Sequence, residues 1–554
     1  MKKTCLCCVL LLLVVTATSA SADGDTYSDY LNAAYPADGP GAAVIVVKDG
    51  EVLFAGARGM ADLELGVPLT PDHVFRLGSI TKQFTAAAIM LLEERGKLTV
   101  GDPITKHLPD YPTNGYEITI EHLLTHTSGI FSYTSIPGYM VGNEIRADLT
   151  TEELVDVFDD LEMDFGPGER WSYSNSGYVL LGAIIEKVSG QSYADFIEEN
   201  IFEPLGMTNS HYGGSQLIPG RAGGYQATED GYINAPFLSM TQPHAAGSLL
   251  STVGDLARWN AGLFGGELLT EESVARMTTE FTLNDGEGTG YGYGLSVREI
   301  DGTPVIDHGG GIHGFATYAV WIPGAKTYIA LLCNNPDNLT GPDYVVRQMA
   351  AKAAGNPLPT RTAIDLDAGA LDEYVGVYTI SETESRNVTV EEDRLYTQRT
   401  GSVRMQAFAH AKDAFFYQRS FSHFTFERDA EGRVTRMLMY QGGAEEAEVA
   451  ERTSDVVQTA DDRPVATVSP ELYDLWAGTY ELQPGFNLTI TREGDRLMSQ
   501  ATGQQTIELH PASTTRYFIT EVEAEIEFVP GDDGRARELV LYQGGQELKA
   551  ARVD

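Results

Sequence analysis

A serine and a lysine stand three residues apart at the start of an apolar segment, in the run Ser79-Ile80-Thr81-Lys82. Residues three apart share one face of a helix, so we expect the Ser79 hydroxyl and the Lys82 amine within hydrogen-bonding distance. The following residues are apolar on nearly all sides, which predicts a buried helix and a buried lysine. A buried lysine must be paired or neutral, and a neutral amine beside a hydroxyl is a base beside a nucleophile. The alternative is an N-cap serine and a solvated lysine.

Two further segments place polar groups beside glycine-rich turns. In the first, a Gly-Pro-Gly turn leads to Tyr173-Ser174-Asn175 just before a predicted helix. The alternative here is a helix-capping Asn175 and an ordinary amphipathic tyrosine. In the second, His308-Gly309-Gly310-Gly311 opens a predicted strand. Consecutive glycines let a substrate lie against the backbone and leave N–H groups free for an oxyanion.

The elements that must position these residues mix strands and helices over residues 23–354. Apolar strand pairs are predicted at both ends of this region, at residues 42–47 with 52–57 and at residues 316–322 with 327–333. Helices are predicted between them, at residues 79–95, 151–161 and 176–188. This order predicts an α+β domain, in which helices cover an antiparallel sheet.

The C-terminal part of the chain contains a repeat. Gly376-Val377-Tyr378 matches Gly478-Thr479-Tyr480, and Tyr440-Gln441-Gly442-Gly443 matches Tyr542-Gln543-Gly544-Gly545 at the same offset. Alternating apolar and polar residues between Gly and Asp turns predict two small antiparallel β-barrels, at residues 371–452 and 471–554. Residues 355–359 and 453–470 are predicted linkers. Because Tyr440 and Tyr542 recur at equivalent positions, we expect both to face the barrel cores.

The composition restricts the partners and the compartment. The 554 residues carry 38 Lys and Arg against 79 Asp and Glu, a net charge of −41, which repels phosphate backbones and excludes nucleic-acid binding.

Residues 1–22 read as a signal peptide, with Lys2 and Lys3 before a short apolar run and Ala20-x-Ala22 after it, so we expect export to the periplasm or the medium. No later apolar run is long enough to predict a membrane-spanning helix. The oligomeric state stays open.

Cysteine usage excludes an internal disulfide in the exported chain. Three of the four cysteines, Cys5, Cys7 and Cys8, fall in the predicted signal peptide, and Cys333 is the fourth. Cys333 lies in an apolar run, where we expect a buried structural thiol.

Together, Ser-x-x-Lys at 79–82, Tyr-x-Asn at 173–175 and His-x-Gly at 308–310 resemble the serine beta-lactamase and penicillin-binding superfamily, close to class C beta-lactamases and DD-peptidases. The resemblance covers about residues 30–340 and includes the supporting stretches Leu123-Leu124-Thr125-His126-Thr127-Ser128-Gly129, Pro204-Leu205-Gly206-Met207 and Tyr291-Gly292-Tyr293-Gly294. With the two appended barrels, the layout is similar to that of bacterial D-stereospecific aminopeptidases.

The resemblance implies roles for the catalytic groups. Ser79 would be the acylated nucleophile, Lys82 its proton-relay partner, and Tyr173 would share the work of general base and leaving-group acid. The backbone N–H groups of Ser79 and Gly311 would form the oxyanion hole. An ester at Ser79 would form and then be cleaved by water. No metal and no other cofactor is implied.

The substrate-binding residues implied by the resemblance are Asn175, His308 and Gly310. Many relatives carry Lys in place of His308, and a largely neutral imidazole binds a substrate carboxylate less well. This departure favours a peptidase or amidase of the D-aminopeptidase type that acts on a small peptide, amide or ester. Esterase and weak beta-lactamase or DD-peptidase activity remain alternatives. The acidic group with which the aminopeptidases bind the substrate amine is not identified at residues 514–521.

Competing interpretations make separate predictions. A receptor of the penicillin-binding type would be acylated without turnover, although retention of Lys82 and Tyr173 beside Ser79 speaks against it. An α/β-hydrolase would need a Gly-x-Ser-x-Gly pentapeptide, which the sequence lacks. A metal site built on His308 and His313 would need two more ligands at suitable spacing. We expect a structural role for His126.

Overall fold

The computed structural model describes residues 26–553 except for 137, 229–230, 301, 338–340, 356, 359–360, 367–368, 382, 403, 419, 445, 458–464, 484–485, 502–505, 521–523, 532–533 and 544–545. The predicted signal peptide lies outside the described residues, as do Gly544 and Gly545 of the repeat. Within the described ranges, no helix combines the length and the apolar character needed to cross a bilayer.

The N-terminal domain contains helices and strands throughout. Its helices are α1 (Tyr27–Ala34), α2 (Thr81–Glu94), α3 (Ile120–Leu124), α4 (Thr151–Val155), α5 (Asn175–Ser189), α6 (Tyr193–Ile197), α7 (His244–Gly247), α8 (Val253–Phe264), α9 (Glu271–Met277) and α10 (Pro342–Ala353). Its strands are β1 (Ala42–Lys48), β2 (Glu51–Arg58), β3 (Met60–Asp62), β4 (Val67–Pro68), β5 (Phe75–Arg76), β6 (His211–Tyr212), β7 (Tyr225–Thr228), β8 (Gly231–Asn234), β9 (Leu249–Ser251), β10 (Ser296–Ile300), β11 (Thr303–Ile312), β12 (Phe315–Ile322) and β13 (Thr327–Cys333).

A six-stranded antiparallel sheet in the described region joins the two ends of this domain, in the order β10-β11-β12-β13-β1-β2. Side chains alternate across a strand, and both faces of β1 are buried. Ala43 and Ile45 pack into the larger core with α2 and α5, whereas Val44 and Val46 pack into a second core with α1 and α10. The predicted α+β class, with helices over an antiparallel sheet, is confirmed.

One predicted helix is much shorter than expected. We predicted a helix over residues 151–161, but α4 ends at Val155. Asp156, Asp159 and Asp160 follow it, and Asp side chains compete for backbone hydrogen bonds in non-helical conformations. The Thr150 side chain accepts a hydrogen bond from Glu153 N and caps the start of α4 as an N-cap residue should.

Each C-terminal segment forms a closed antiparallel barrel in the described residues, as predicted. The first contains β14 (Gly376–Thr379), β15 (Ser385–Glu391), β16 (Arg394–Arg399), β17 (Met405–Ala411), β18 (Ala414–Phe416), β19 (His423–Arg428), β20 (Val434–Tyr440) and β21 (Glu448–Ser454). The second follows α11 (Tyr473–Trp476) and contains β22 (Gly478–Gln483), β23 (Phe486–Glu493), β24 (Arg496–Ala501), β25 (Thr506–Pro511), β26 (Arg516–Ile519), β27 (Ala524–Pro530), β28 (Ala536–Gln543) and β29 (Gln546–Arg552).

The prediction that Tyr440 and Tyr542 face the barrel cores was wrong. Met439 takes the buried position in β20, so the next residue, Tyr440, points outwards and stacks on His423 with ring centroids 4.7 Å apart. Tyr542 donates a hydrogen bond to Glu527, and the Arg516 guanidinium lies over its ring. The repeated tyrosine therefore shows that the two strands are equivalent, and it does not show that the side chain is buried.

The two barrels differ at equivalent strand positions. In the first, Tyr378 pairs with Arg386, whose partner on β16 is Arg399. Both arginines contact Glu448. In the second barrel the corresponding register pairs Tyr480 with Leu488, and Leu488 with Ala501. One copy thus carries charged residues where the other carries apolar ones.

The N-terminal domain contacts the first barrel through α10. The ring centroids of Tyr344 and Phe421 are 4.5 Å apart, and the Arg347 guanidinium lies 4.2 Å from the centre of the Phe421 ring. Arg347 also donates a 3.4 Å hydrogen bond to the carbonyl oxygen of Gly442, within the repeated Tyr-Gln-Gly-Gly motif.

Candidate active site

Ser79 lies in a tight turn at the entrance to α2. Gly78–Ile80 forms a 3₁₀ turn, and α2 starts immediately after it at Thr81. With three residues per turn, positions 79 and 82 are stacked on one face. Gly78 has a φ of +55°, and a Cβ placed on it would lie 3.0 Å from both N and O of Gly311. The turn therefore requires glycine for its backbone angle and for the close approach of β11.

Lys82 is fully buried, as predicted, and contacts the nucleophile. Its Nζ lies 3.1 Å from Ser79 Oγ, and it donates to Asn175 Oδ1 at 2.7 Å and to the carbonyl oxygen of Ala246 at 3.0 Å. No carboxylate in the described part of the chain forms an ion pair with it. Burial holds the Lys82 pKa well below its usual value of 10.5, which favours the neutral amine.

Tyr173 faces the same serine. Its hydroxyl is close enough to Ser79 for that side chain to influence its pKa, and the Lys82 Nζ lies 4.7 Å from the centre of its ring. Burial raises the pKa of the phenol well above its usual value of 10.0, and the contact with Ser79 lowers it only in part. Tyr173 is therefore a protonated phenol next to a neutral amine.

His126 holds the backbone on both sides of Tyr173. Its carbonyl oxygen accepts from Ser172 N at 2.9 Å, and its Nδ1 accepts from Ser174 N at 3.1 Å. Its ring centroid lies 4.2 Å from that of Tyr173. Burial is the main cause that lowers the pKa of His126 well below its usual value. The ring is neutral and lies behind Tyr173, which fits the structural role that we expected.

Asn175 is the first residue of α5, whose N-cap is Ser174. Its side-chain oxygen accepts from Lys82, and its Nδ2 donates to Thr134 Oγ1 at 2.9 Å. Its backbone N donates to Ser132 Oγ at 3.1 Å. These contacts fix the orientation of the carboxamide beside Ser79 and Lys82. Ser132 and Thr134 escaped the sequence analysis because they lie in a loop without a periodic pattern.

The glycines of β11 have two different environments. A Cβ on Gly310 would lie 2.0 Å from the carbonyl oxygen of Leu77 and 2.3 Å from Thr317 Oγ1, so Gly310 allows the strand to pack against the nucleophile turn. Gly311 is exposed, and a Cβ there would meet no atom within 4 Å. Its N–H lies next to Gly78, beside the Ser79 backbone, as an oxyanion hole would require.

His308 is buried on β11 with both ring nitrogens occupied. Nε2 is 2.8 Å from the Tyr291 hydroxyl, and Nδ1 is 2.5 Å from the carbonyl oxygen of Gly309. Burial and the nearby Lys82 lower its pKa to about 4, so the ring is neutral at neutral pH. Nδ1 then donates to Gly309, and Nε2 accepts from Tyr291. Direct binding of substrate by His308 stays a prediction, and such binding would have to replace one of these hydrogen bonds.

The structure thus brings Ser79, Lys82, Tyr173 and Asn175 together and places Gly311 beside them. His308 stands further back, with its ring centroid 6.3 Å from that of Tyr173. The carbonyl oxygen of Ala246, which holds Lys82, could not be predicted because a backbone group has no signature in the sequence. Among the described residues, no three His, Cys, Asp or Glu side chains are grouped to hold a metal ion.

Comparison with known proteins gives matches along the described domains. Residues 32–354 match the family described as Beta-lactamase, and residues 360–456 and 462–552 each match a domain of unknown function, DUF3471. Penicillin-binding protein 4* of Bacillus subtilis is 31% identical over 433 residues, which cover 73% of this chain and 94% of that protein. A D-aminopeptidase of Gluconobacter oxydans is 28% identical over 342 residues, which cover 60% of this chain and 63% of that protein.

One similar solved structure is that of a D-stereospecific amidohydrolase from a Streptomyces species. It superposes with a TM-score of 0.51 at 30% identity, over 59% of this chain and 98% of that one.

Proposed function

The chain belongs to the beta-lactamase family of serine hydrolases, and from that premise we propose that it is an exported amidase or peptidase of the D-aminopeptidase type, acting through an acyl-enzyme at Ser79. The observation that carries the proposal is the 3.1 Å contact between Ser79 Oγ and the Nζ of a fully buried Lys82, whose pKa burial lowers. The D-aminopeptidase and the D-stereospecific amidohydrolase among the similar proteins support the choice of substrate class.

In the proposed acylation, Lys82 acts as the general base. A neutral amine has two N–H donors and one lone pair. Its donors are directed at Asn175 Oδ1 and the Ala246 carbonyl, which leaves the lone pair for the Ser79 hydroxyl proton. As this proton moves to Nζ, Oγ bonds to the substrate carbonyl carbon. The negative charge passes to the carbonyl oxygen, between the N–H groups of Ser79 and Gly311.

Collapse of this intermediate breaks the bond to the leaving group. Tyr173, a protonated phenol beside Ser79, gives its proton to the leaving nitrogen and recovers one from the Lys82 ammonium. In deacylation a water molecule attacks the ester. The proton of this water passes through Tyr173 to Lys82, and then from Lys82 to Ser79 Oγ as the bond between Oγ and the carbonyl carbon breaks. The acid is released, and all three groups return to their starting protonation states.

A combined test uses a fluorescent penicillin and D-alanyl anilide on the chain and on Ser79→Ala. We expect continuous release of aniline and a mass adduct at Ser79, both abolished by the substitution. Turnover or an adduct that survives in Ser79→Ala would remove the mechanism. One equivalent of leaving group without further release would identify a receptor that is acylated but does not turn over.

A further inference from the structure

The short helix α7 contacts α2, the helix of Lys82, through two backbone carbonyl groups. The carbonyl oxygen of Ala246 accepts from Lys82 Nζ at 3.0 Å, and that of Ala245 accepts from Thr85 Oγ1 at 2.6 Å. Lys82 and Thr85 are three residues apart on α2, so both contacts lie on one face of that helix. The position of α7 therefore determines where the amine of Lys82 finds one of its two acceptors.

His244, the first residue of α7, has an unusual backbone conformation. Its φ is +40°, in the left-handed region that residues with a side chain rarely adopt. The carbonyl oxygen of His244 accepts from Ser248 N at 2.9 Å, which closes the helical turn. The turn whose carbonyl groups contact α2 therefore begins at a strained residue.

The ring of His244 is buried and has a hydrogen-bond partner on one edge. Its Nδ1 lies 3.1 Å from the Tyr212 hydroxyl, and the ring packs edge-on against Tyr193, with centroids 5.1 Å apart. Burial lowers the pKa of His244 to about 4, so the ring is neutral and has one N–H and one acceptor nitrogen. Tyr212 satisfies Nδ1, whereas Nε2 has no hydrogen-bond partner among the described residues.

The unpartnered edge of the ring packs against α5. A Cβ on Gly182 would lie 2.7 Å from His244 Nε2 and 2.7 Å from the Cβ of Ala245, so glycine at this position lets α7 approach α5. α5 begins at Asn175, whose Oδ1 is the other acceptor of Lys82, at 2.7 Å. The imidazole is therefore a spacer between the two helices that carry the acceptors of the amine.

Two unfavourable features thus occur in one residue. A left-handed backbone and a buried nitrogen without a partner both lower the stability of a fold. Such features are concentrated at functional sites, where the surrounding structure holds them in place. From His244, the contacts of α7 and α5 lead directly to Lys82.

We propose that His244 is a positioning residue, which holds the two acceptors of Lys82 at the separation that turns the amine towards Ser79. The inference rests on the proposed function, in which Lys82 takes the Ser79 proton. When Ala246 and Asn175 accept the two N–H groups of the amine, its lone pair is directed at Ser79 Oγ. A shift of either acceptor turns the lone pair away from the hydroxyl.

Each part of His244 has its own task in this arrangement. The left-handed backbone aims the carbonyl group of Ala246 at Lys82, and the imidazole sets the distance between α7 and α5. The Tyr212 hydroxyl fixes the rotation of the ring.

Kinetics of D-alanyl anilide hydrolysis separate positioning from substrate binding. His244→Ala removes the spacer, so we expect kcat to fall about 10- to 100-fold, as small displacements of a reacting group do, with KM nearly unchanged. His244→Asn should recover part of kcat, because Asn tolerates the left-handed region and keeps a polar group for the Tyr212 hydroxyl. Tyr212→Phe removes one hydrogen bond and should lower kcat about two- to tenfold.

His107→Ala and Tyr374→Phe are the matched controls. His107 Nε2 lies 3.2 Å from Asp102 Oδ2, and the hydroxyl of Tyr374, a buried residue of the first barrel, donates to Asp413 at 2.9 Å. Each variant removes the same group at a distance from Lys82 and should keep the kcat of the unsubstituted chain. A full kcat in His244→Ala, a loss confined to KM, or His244→Asn no more active than His244→Ala would overturn the inference.

Crystal structures of the unsubstituted chain and of His244→Ala add a measurement that needs no turnover. The distance from Lys82 Nζ to the carbonyl oxygen of Ala246 is 3.0 Å with His244 in place, and we expect it to exceed about 3.5 Å in the variant, beyond hydrogen-bonding reach. An unchanged distance would overturn the inference even if kcat falls.

The two proposals fail separately. If His244→Ala does not fold, Tyr212→Phe decides the outcome, since it should show a smaller fall in kcat and a lengthening of the same distance. Absence of an adduct at Ser79 in the unsubstituted chain contradicts the proposed function alone, because the distance is measured without substrate.

Discussion

At the scale of single residues, the site depends on a lysine whose pKa burial lowers and whose amine three neighbours orient. Desolvation removes the advantage of the charged form, and Asn175 and the Ala246 carbonyl take up the two N–H groups of the neutral amine. Ser79 faces the remaining lone pair. Asn175 therefore orients the base as well as bordering the site, a role that its position before a helix did not reveal.

The pH dependence of the reaction follows from two shifted groups. Activity needs neutral Lys82, whose pKa is lowered, so kcat/KM should be high at neutral pH and fall as the pH drops through the lowered Lys82 pKa. Tyr173 has a raised pKa and stays protonated, so no decline is expected before the pH exceeds 10. A profile of kcat/KM from pH 4 to 10 checks this. A kcat/KM that keeps rising up to pH 10, as a lysine with the ordinary pKa of 10.5 would give, would contradict it.

The variant Lys82→Arg tests whether Lys82 acts as a proton acceptor or only as a positive charge. Arginine keeps N–H donors but cannot be deprotonated in a protein, so kcat should fall by about 10²- to 10⁴-fold, the usual contribution of general base catalysis. Lys97→Arg, at an exposed lysine just beyond α2, is the control and should behave as the unsubstituted chain. Activity retained by Lys82→Arg would mean that another group takes the Ser79 proton.

His126 should act through Tyr173, as a positioning residue. His126→Ala leaves Ser174 N without an acceptor and removes the ring beneath the phenol. Because small displacements of a reacting group are costly, we expect kcat to fall about 10- to 100-fold with little change in KM. Steady-state kinetics measure both constants.

His126→Asn is the conservative variant. Asn tolerates the φ of +60° found at this position and offers a side-chain oxygen for Ser174 N, so it should recover part of the activity. Equal activity of the two variants, or a loss confined to KM, would contradict the positioning role.

At the scale of elements, the decisive feature is the turn that joins β5 to α2 and carries Ser79. Gly78→Ala imposes a strained left-handed backbone at a cost of about 1 kcal/mol, and its Cβ crowds the N–H of Gly311. We expect a modest drop in Tm and a larger drop in kcat/KM. Gly101→Ala, where a Cβ meets nothing within 4 Å, is the matched control. A full-rate Gly78→Ala would place the oxyanion elsewhere.

Helices and strands could be predicted where neighbouring residues in the sequence mark them. Strand β13 matches the predicted residues 327–333, and α5 differs from its predicted range by one residue at each end, because apolar period and caps mark them. The contacts of Lys82 were predictable only as far as Ser79, which lies on the same turn. Thr134 and Ala246 reach the site through tertiary packing between distant segments, which no spacing in the sequence records.

At the scale of the whole molecule, α10 contacts the first barrel through the ring of Phe421 and the carbonyl oxygen of Gly442. Phe421→Ala removes the ring that packs on Tyr344 and Arg347, so the two domains should melt at more widely separated temperatures and the chain near residues 355–371 should be cut faster by protease. Calorimetry and limited proteolysis measure these effects. Tyr396→Ala, which removes a similar ring beneath Arg404 on the barrel surface, is the control. Identical behaviour of the two variants would mean that this contact does not hold the domains together.

The sheet order has a consequence for biosynthesis. β1 is an interior strand of the sheet, between β2 and β13. Because β13 ends at Cys333, this second partner of β1 is made only after nearly the whole domain has left the ribosome. Contacts so distant along the chain close slowly. The newly made N-terminal hairpin therefore carries an open, apolar edge throughout translation, and a chaperone that masks this edge would raise the yield of folded protein.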